Sequence, residues 1–564
     1  MVAVVEQLPV DALHWLVSLG PILVLLVLLI RYSWPAHVAA VVAMFLAAGI
    51  AVALFQTPAL ALAVAAAKGV WDAVFILYVV WPALLMYLIT QRAGALYAIQ
   101  KGLQDFSTND LFLVLAFGWV FVSFLQGITG FGAPIAIVAP LLLALGVRPV
   151  YAVAIPLIGH AWNNNFGTLA VGWFATDSVA PMQAPVETAI HTSLLHTIPI
   201  VLGGFAIAWL YGRSDALRHA WPMIVVIAIV QSVALLLVSI YSPFIAGFLA
   251  AAAAMVALYP LSRWDRYDTQ HQPFDRPAMS EQMRQDVATD GGTPAEDETG
   301  EPEPLMGLFE ALLPYLVLLV VAVVVAFPAV DEILGQVEVG FPFPAVETGY
   351  LEHDAEDPYE PFAILTHPGT IILVGVVVGW LLYRRRGYYE EWQEVMETSP
   401  HVEEEPRFRR SLLENGAPAS LAIVLLVVMA TIMVDSGQIT VLALGIAAVV
   451  SPTIYLFLAN AIGVLGAFMT GSNTASNIMF SPLHDQAAAE LELPQWTVLG
   501  AQMTGGAVGN AISPSNVVLG TGTVGIVGDE GEVLRKTIPW VLAVTVLVGV
   551  LTILVAGFAF AGGA

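Results

Sequence analysis

Three consecutive side chains, Ser472, Asn473 and Thr474, offer two hydroxyls and a carboxamide in the middle of an apolar stretch. Beside the free N–H groups of a helix start, such side chains can hold a small anion through hydrogen bonds and the helix dipole. Asn477, Asn510, Ser513, Ser515 and Asn516 follow and could complete that half of a site. A second cluster lies earlier in the chain: Thr129, Gly130, Phe131, Gly132 and Ala133, then His160 with Asn163 and Asn164 close behind. Histidine titrates near neutral pH, and ionisable groups inside membranes mark functional sites. His160 is therefore a candidate proton carrier, with hydrogen-bonded packing as its alternative role. His191 and His196, at the outer end of the next apolar run, are further candidates. Asp72 and Asp435 fall near the ends of runs and read as solvated, interfacial groups. Lys68 and Arg148 lie near edges, and no Lys or Arg falls deep in a run. An anion would then be held by dipoles, hydroxyls, amides and a protonated histidine. Such a site suits a monoanion travelling with a proton better than a multiply charged one.

The elements that must position these groups are broken helices, and they occur twice. Thr129-Gly130 recurs as Thr470-Gly471, 341 residues on, and Pro140 recurs as Pro482, 342 residues on. Gly159 to Thr168 has its counterpart in Gly505 to Asn516. Glycine, proline, amide and hydroxyl residues within apolar segments mean unwound backbone at membrane depth, which persists only where it lines an enclosed or wet cavity. Paired broken segments in the two halves of a chain point to a transporter's substrate site. The same side chains also serve to satisfy the freed backbone, and the two roles are compatible.

The chain as a whole is 58% hydrophobic and 11% charged over 564 residues, with a mean hydropathy of +0.81. A span needs about 20 apolar residues, and the chain holds about 14–16 such segments. The expected fold class is an all-α polytopic membrane protein, sited in the cell membrane, with two inverted repeats that each carry a re-entrant or broken helix pair. Lys and Arg set the orientation. Arg92 and Lys101, Arg213 and Arg218, the arginines of 262–308 and 384–416, and Arg535 with Lys536 all fall on one side if both termini are outside. The loops 173–189, 328–367 and 482–494 carry neither Lys nor Arg and fall on the other. An odd number of crossings then separates the two Thr-Gly segments, so the repeats enter the membrane from opposite sides. The halves are 1–261 and 309–564. The acidic segment 262–308 between them reads as a disordered cytoplasmic linker. The acidic external loop 328–367, with Phe341-Pro342-Phe343-Pro344, is either an ordered cap or a flexible loop.

The net charge of −25 resides in the loops. It fits solubility of exposed segments or a halophilic protein, whose carboxylates stay hydrated while salt screens their repulsion. With no cysteine there are no disulfides, thiolates or cysteine metal sites. Neither a His-Glu-x-x-His motif nor a phosphate-binding loop is present. No enzyme activity, cofactor, metal or nucleic-acid partner is expected, and an ion gradient is the expected energy source. The state of association, including a homo-oligomer, is left open.

The stretches Gln126 to Ala136, His160-Ala161-Trp162 with Phe166 to Ala170, and Thr470 to Asn477 with Phe480-Ser481-Pro482 resemble the L-lactate permease family, and the similarity in layout covers most of the chain. The resemblance implies a proton-coupled symporter for lactate and glycolate. More distantly the chain is similar to the ion-transporter superfamily, in which paired hairpins with Ser-Asn-Thr-like tips bind substrate and coupling ion. Here only the second hairpin has that tip; the first has Phe131-Gly132-Ala133-Pro134, which departs from a symmetric two-sodium site. The expected function is import of L-lactate or a related 2-hydroxymonocarboxylate by proton symport. A sodium-coupled carboxylate transporter is the alternative. A cation/proton antiporter would carry a deep carboxylate pair, and none is visible.

Overall fold

Glycine and proline decide where the apolar segments stop being simple spans. The computed structural model describes residues 3–4, 8–32, 34–104, 107–130, 132–267, 276–280, 303–325, 327–398 and 408–562. Among the described residues, eleven helices are long and apolar enough to cross a membrane. One of them, Pro185–Tyr241, contains two of the expected runs, joined where Gly212 and Arg213 leave helical geometry. Three shorter apolar helices, Ala133–Ala144, Pro149–Ala161 and Gln438–Val449, accompany them. Phe45, Val233, Leu237 and Leu542 lie exposed, as a lipid-facing surface demands and a water-facing one does not. The all-α polytopic architecture read from composition is the observed one.

The two halves of the sequence interleave in space. Helix Ala59–Arg92 packs along Phe408–Asp435 and along Pro368–Arg386. Gly69 permits the first contact, because a Cβ there would stand 2.7 Å from the Val428 Cα. At one end of this pair Arg92 donates to the Ser411 hydroxyl at 3.2 Å.

At the other end the acidic segment 328–367 folds into an ordered cap. Strand Glu338–Phe343 pairs antiparallel with Glu356–Ala363, Glu338 facing Ala363 and Phe343 facing Glu356. A second small sheet runs in the order Ala3–Val4, Leu351–His353, Val346–Glu347. The cap is fastened to helix 59–92 by the Trp71 indole, which donates to the Glu360 carbonyl at 3.2 Å. The buried Lys68 also contacts it, donating to Glu356 at 3.1 Å. This cover changes the setting of Asp72, read from sequence as solvated: it is buried and accepts from the Tyr359 hydroxyl at 3.1 Å. Asp177, Pro181 and Asp435 lie around the same space as Glu360, and Gln495 donates to the Pro181 carbonyl at 3.0 Å. The three loops without Lys or Arg thus gather on one face, opposite Arg92.

Most of the segment read as a disordered linker lies outside the described residues, but 276–280 is packed. Arg276 is buried and pairs with Asp110 at 2.6 Å. The Arg148 N–H donates to the Ala278 carbonyl at 2.7 Å, and the Ser280 N–H donates to Gly146 at 2.9 Å.

Candidate functional site

Each half builds its site from a hairpin and a broken helix. In the first half, helix Val122–Ile128 stops at Thr129, whose hydroxyl folds back onto the Leu125 carbonyl at 2.9 Å. The chain turns through Gly130 (φ +62°) and Gly132 (φ +81°) and restarts as Ala133–Ala144. Only glycine adopts such angles without strain. Phe131 lies outside the described residues. Helix Pro149–Ala161 then breaks at Trp162 to Phe166 and resumes as Gly167–Val179. The break is pinned from below: Trp162 donates to the Ser123 hydroxyl at 2.8 Å, and Asn163 donates to the Ser123 and Gly247 carbonyls at 2.8 and 3.2 Å. Thr168, Leu169 and Ala170 form a left-handed turn, with φ of 50°, 55° and 61°. Left-handed geometry costs L-residues roughly 1–2 kcal/mol each, so the packing around this turn must hold it.

The second half repeats the plan. Helix Pro452–Thr470 ends at Gly471 (φ +69°), and Ser472 caps helix Asn473–Glu490, its hydroxyl accepting from the Ala475 N–H at 3.2 Å. Helix Gln495–Gly509 breaks through Asn510 to Ile512 and restarts as Pro514–Thr523, capped by Ser513. Proline sits at the first helical position in that restart, where its missing N–H costs nothing.

The two glycines make matching contacts. A Cβ on Gly130 would stand 2.1 Å from the Thr168 Oγ1, and one on Gly471 would stand 2.0 Å from the Ser515 Oγ. At Gly130 the Thr168 Cγ2 and Cβ also lie within 3.2 Å, whereas Ser515 can rotate its hydroxyl away. Both alanine variants incur left-handed strain of roughly 1–2 kcal/mol. Gly130→Ala should therefore lose more thermal stability in detergent than Gly471→Ala, and Ser515→Gly should restore part of the loss in the second variant.

The tips meet. A cavity of about 460 Å³ is lined by Gly132, His160, Asn164, Thr168, Ser472, Asn473, Thr474, Asn510 and Asn516, with Gln126 and Val171 beside them. No Lys or Arg lines it among the described residues, and Glu414 is its one charged lining group, paired with Arg410 at 2.8 Å. His160 Nδ1 lies 2.6 Å from the Pro156 carbonyl. A carbonyl only accepts, so Nδ1 carries the proton, and Nε2 is the atom that gains or loses one. The N-terminal ends of helices 133–144 and 473–490 both reach this cavity through Gly132 and Ser472, so two positive dipole ends converge on it.

Asn473 plays a different part from its neighbours. Its amide donates to the Asn164 carbonyl at 3.3 Å and to Asn165 Oδ1 at 3.4 Å. Its Oδ1 faces Gly506, where a Cβ would approach to 2.4 Å. It ties the second hairpin to the break of the first half, while Thr474, half-buried, lines the cavity. Asn477 supports the same joint, donating to Asn165 Oδ1 at 3.2 Å and to the Gly172 carbonyl at 3.0 Å. Behind it stands a buried chain that no local sequence signal marks. The Tyr455 hydroxyl meets His484 Nδ1 at 2.7 Å, and His484 Nε2 meets Gln502 Oε1 at 3.1 Å. Gln502 in turn donates to Ser476 and Asn477 at 3.1–3.4 Å.

Several expected site residues support the cavity without lining it. Thr129, Gly130, Ala133 and Asn163 shape the first hairpin and break; Ser513 is a helix cap and Ser515 is exposed. His191 bonds Thr497 at 2.8 Å. His196 is buried between Thr192 and Thr504, at 2.8 and 3.0 Å. Both histidines are occupied by packing between helices 185–241 and 495–509, away from the cavity. Gln126 and Thr168 line it and were visible as polar residues flanking the breaks. His37 and Glu414 line it from distant helices, and no local signal marks them.

The family model described as L-lactate permease matches residues 14–558. The L-lactate permease of Bacillus subtilis (strain 168) is 26% identical over 490 residues, 83% of this chain and 82% of that protein. The glycolate permease GlcA of Escherichia coli (strain K12) is 24% identical over 572 residues, 97% of this chain and 96% of that one. Among solved structures, the YdaH transporter of Alcanivorax borkumensis is similar at 13% identity and a TM-score of 0.38, with 85% of each chain covered. With a match over nearly its whole length, this multi-pass membrane protein belongs to the L-lactate permease family.

Proposed function

We propose that the protein imports L-lactate or a related 2-hydroxymonocarboxylate together with a proton. The cavity itself carries that reading: two helix N-termini, hydroxyls and amides converge on it beside His160, and no Lys or Arg lines it among the described residues. Helix ends and neutral donors stabilise one negative charge, each end by about 0.3–1 kcal/mol or somewhat more when partly buried. They offer nothing of the size needed for two. His160 supplies the titratable group, and binding proton and monoanion together leaves the loaded site nearly neutral, which lowers the cost of moving it through an apolar barrier. The relatives named for lactate and glycolate support the same substrate class.

The two halves are read as inverted repeats. The paired contacts Gly130 with Thr168 and Gly471 with Ser515 support that reading, since they place the same kind of hydroxyl against the same kind of turn. The cavity also touches His37 and Glu414, toward the end where Arg92 meets Ser411. By the distribution of Lys and Arg that end is cytoplasmic, so this is an inward-facing arrangement. Counterflow from proteoliposomes tests the substrate class. External L-lactate and glycolate should speed the exit of labelled L-lactate, and succinate should not. Equal acceleration by succinate would refute a monoanion site.

A further inference from the structure

A second cavity, of about 250 Å³, lies beneath the cap and is lined by Asp72, Phe75, Asp177, Tyr359, Thr431 and Asp435 among others. Three of the helices that line the central cavity also wall this one, together with the cap. Helix 59–92 presents Phe75 to the outer space and Val80 to the inner; helix 167–179 presents Asp177 and Val171; helix 408–435 presents Thr431 and Ala422. At 1.5 Å per residue these pairs are separated by roughly 7–14 Å along their helices. That is the thickness of one or two layers of side chains.

The layer between them is aromatic at its outer edge. Phe75 meets Phe174 edge to face, with ring centroids 5.7 Å apart. Phe75 also meets Phe362 of the cap at 5.6 Å and His367 at 4.5 Å, and Phe362 stacks on Trp71 at 5.1 Å. A movement of the cap or of helix 167–179 would therefore disturb the Phe75–Phe174 contact directly. The carboxylates around the outer space make it a poor resting place for an anion, which fits a passage and not a second store.

We propose that the chamber beneath the cap is the outer vestibule of the transport path, and that Phe75 and Phe174 form the door between it and the central cavity. The proposal rests on the reading of the protein as a transporter of small monocarboxylates, but the labelling arms of its test do not depend on which solute is carried.

The chain has no cysteine, so single cysteines can be labelled without background. Thr431→Cys marks the vestibule and Ala422→Cys the central cavity. In right-side-out vesicles a membrane-impermeant maleimide should label Thr431→Cys from outside, and the adduct should slow L-lactate exchange at least tenfold relative to the unlabelled variant. Ala422→Cys should react slowly from outside. Adding Phe75→Ala or, separately, Phe174→Ala should raise that outside rate at least tenfold. Unchanged labelling of Ala422→Cys from the inner face shows that each variant is folded. The proposal is overturned if Thr431→Cys is unreactive from outside. It is equally overturned if its adduct leaves exchange at the unlabelled rate, or if a folded door variant leaves Ala422→Cys as slow as before. If L-lactate is not exchanged at all while the labelling pattern holds, the substrate reading fails and the vestibule stands.

Discussion

Replacing His160 by glutamine should leave exchange of lactate for lactate largely intact and abolish accumulation driven by a pH gradient. The ring lines the cavity, with Nδ1 committed to the Pro156 carbonyl at 2.6 Å. Its Nε2 is a hydrogen-bond acceptor when neutral and a donor bearing positive charge when protonated. Glutamine can fill much of the space and still donate to the carbonyl, but it cannot titrate. One pH unit across the membrane is worth about 1.4 kcal/mol per proton, a tenfold concentration ratio. The wild type should approach such a ratio with one proton per substrate, and His160→Gln should stay near unity. If the variant accumulates lactate with the wild-type dependence on pH, His160 is a packing residue and the proton travels elsewhere, on the substrate itself for instance.

The second large effect is expected at the tip of the second hairpin, and it should separate two neighbours. Thr474 faces the cavity. Thr474→Val keeps the shape and removes the hydroxyl. A hydrogen bond to a charged group contributes about 1.5–3 kcal/mol, so the apparent affinity for L-lactate should fall roughly tenfold to a hundredfold. Asn473 instead joins the halves through the Asn164 carbonyl and Asn165. Asn473→Ala takes the donor from the buried Asn164 carbonyl and leaves Asn165 Oδ1 with Asn477 alone, at a cost of about 1–3 kcal/mol. It should lower the maximal rate and the thermal stability more than the affinity, while insertion in the membrane is kept. Wild-type uptake kinetics in both variants would remove the hairpin tip from the binding site.

The sequence carried the broken helices plainly, because glycine, proline and amide residues inside apolar runs have few other uses at membrane depth. It also marked most of the polar wall: His160, Asn164, Ser472, Thr474, Asn510 and Asn516 all line the cavity. What it could not show was direction. Whether an asparagine such as Asn473 turns toward a ligand or toward the opposite half depends on contacts several hundred residues apart. The same holds for the Tyr455–His484–Gln502 chain, whose members look like ordinary span residues until helices 452–470, 473–490 and 495–509 are packed. The cap was undecided in sequence because its strands are short and interrupted by prolines. Its order comes from pairing with the chain start and from Trp71 and Lys68 beneath it. Asp72 shows the consequence, since a carboxylate near a span end becomes buried once that cover is in place.

Proteoliposomes holding the purified protein test proton-coupled transport of a 2-hydroxymonocarboxylate without other carriers present. Uptake of labelled L-lactate is followed with an imposed pH gradient, acid outside, in potassium buffer, and separately with an inward sodium gradient at equal pH. With His160 beside two helix ends in the cavity, the expected result is concentrative uptake with the pH gradient and only equilibration with sodium. Accumulation that requires sodium and ignores the pH gradient would contradict it.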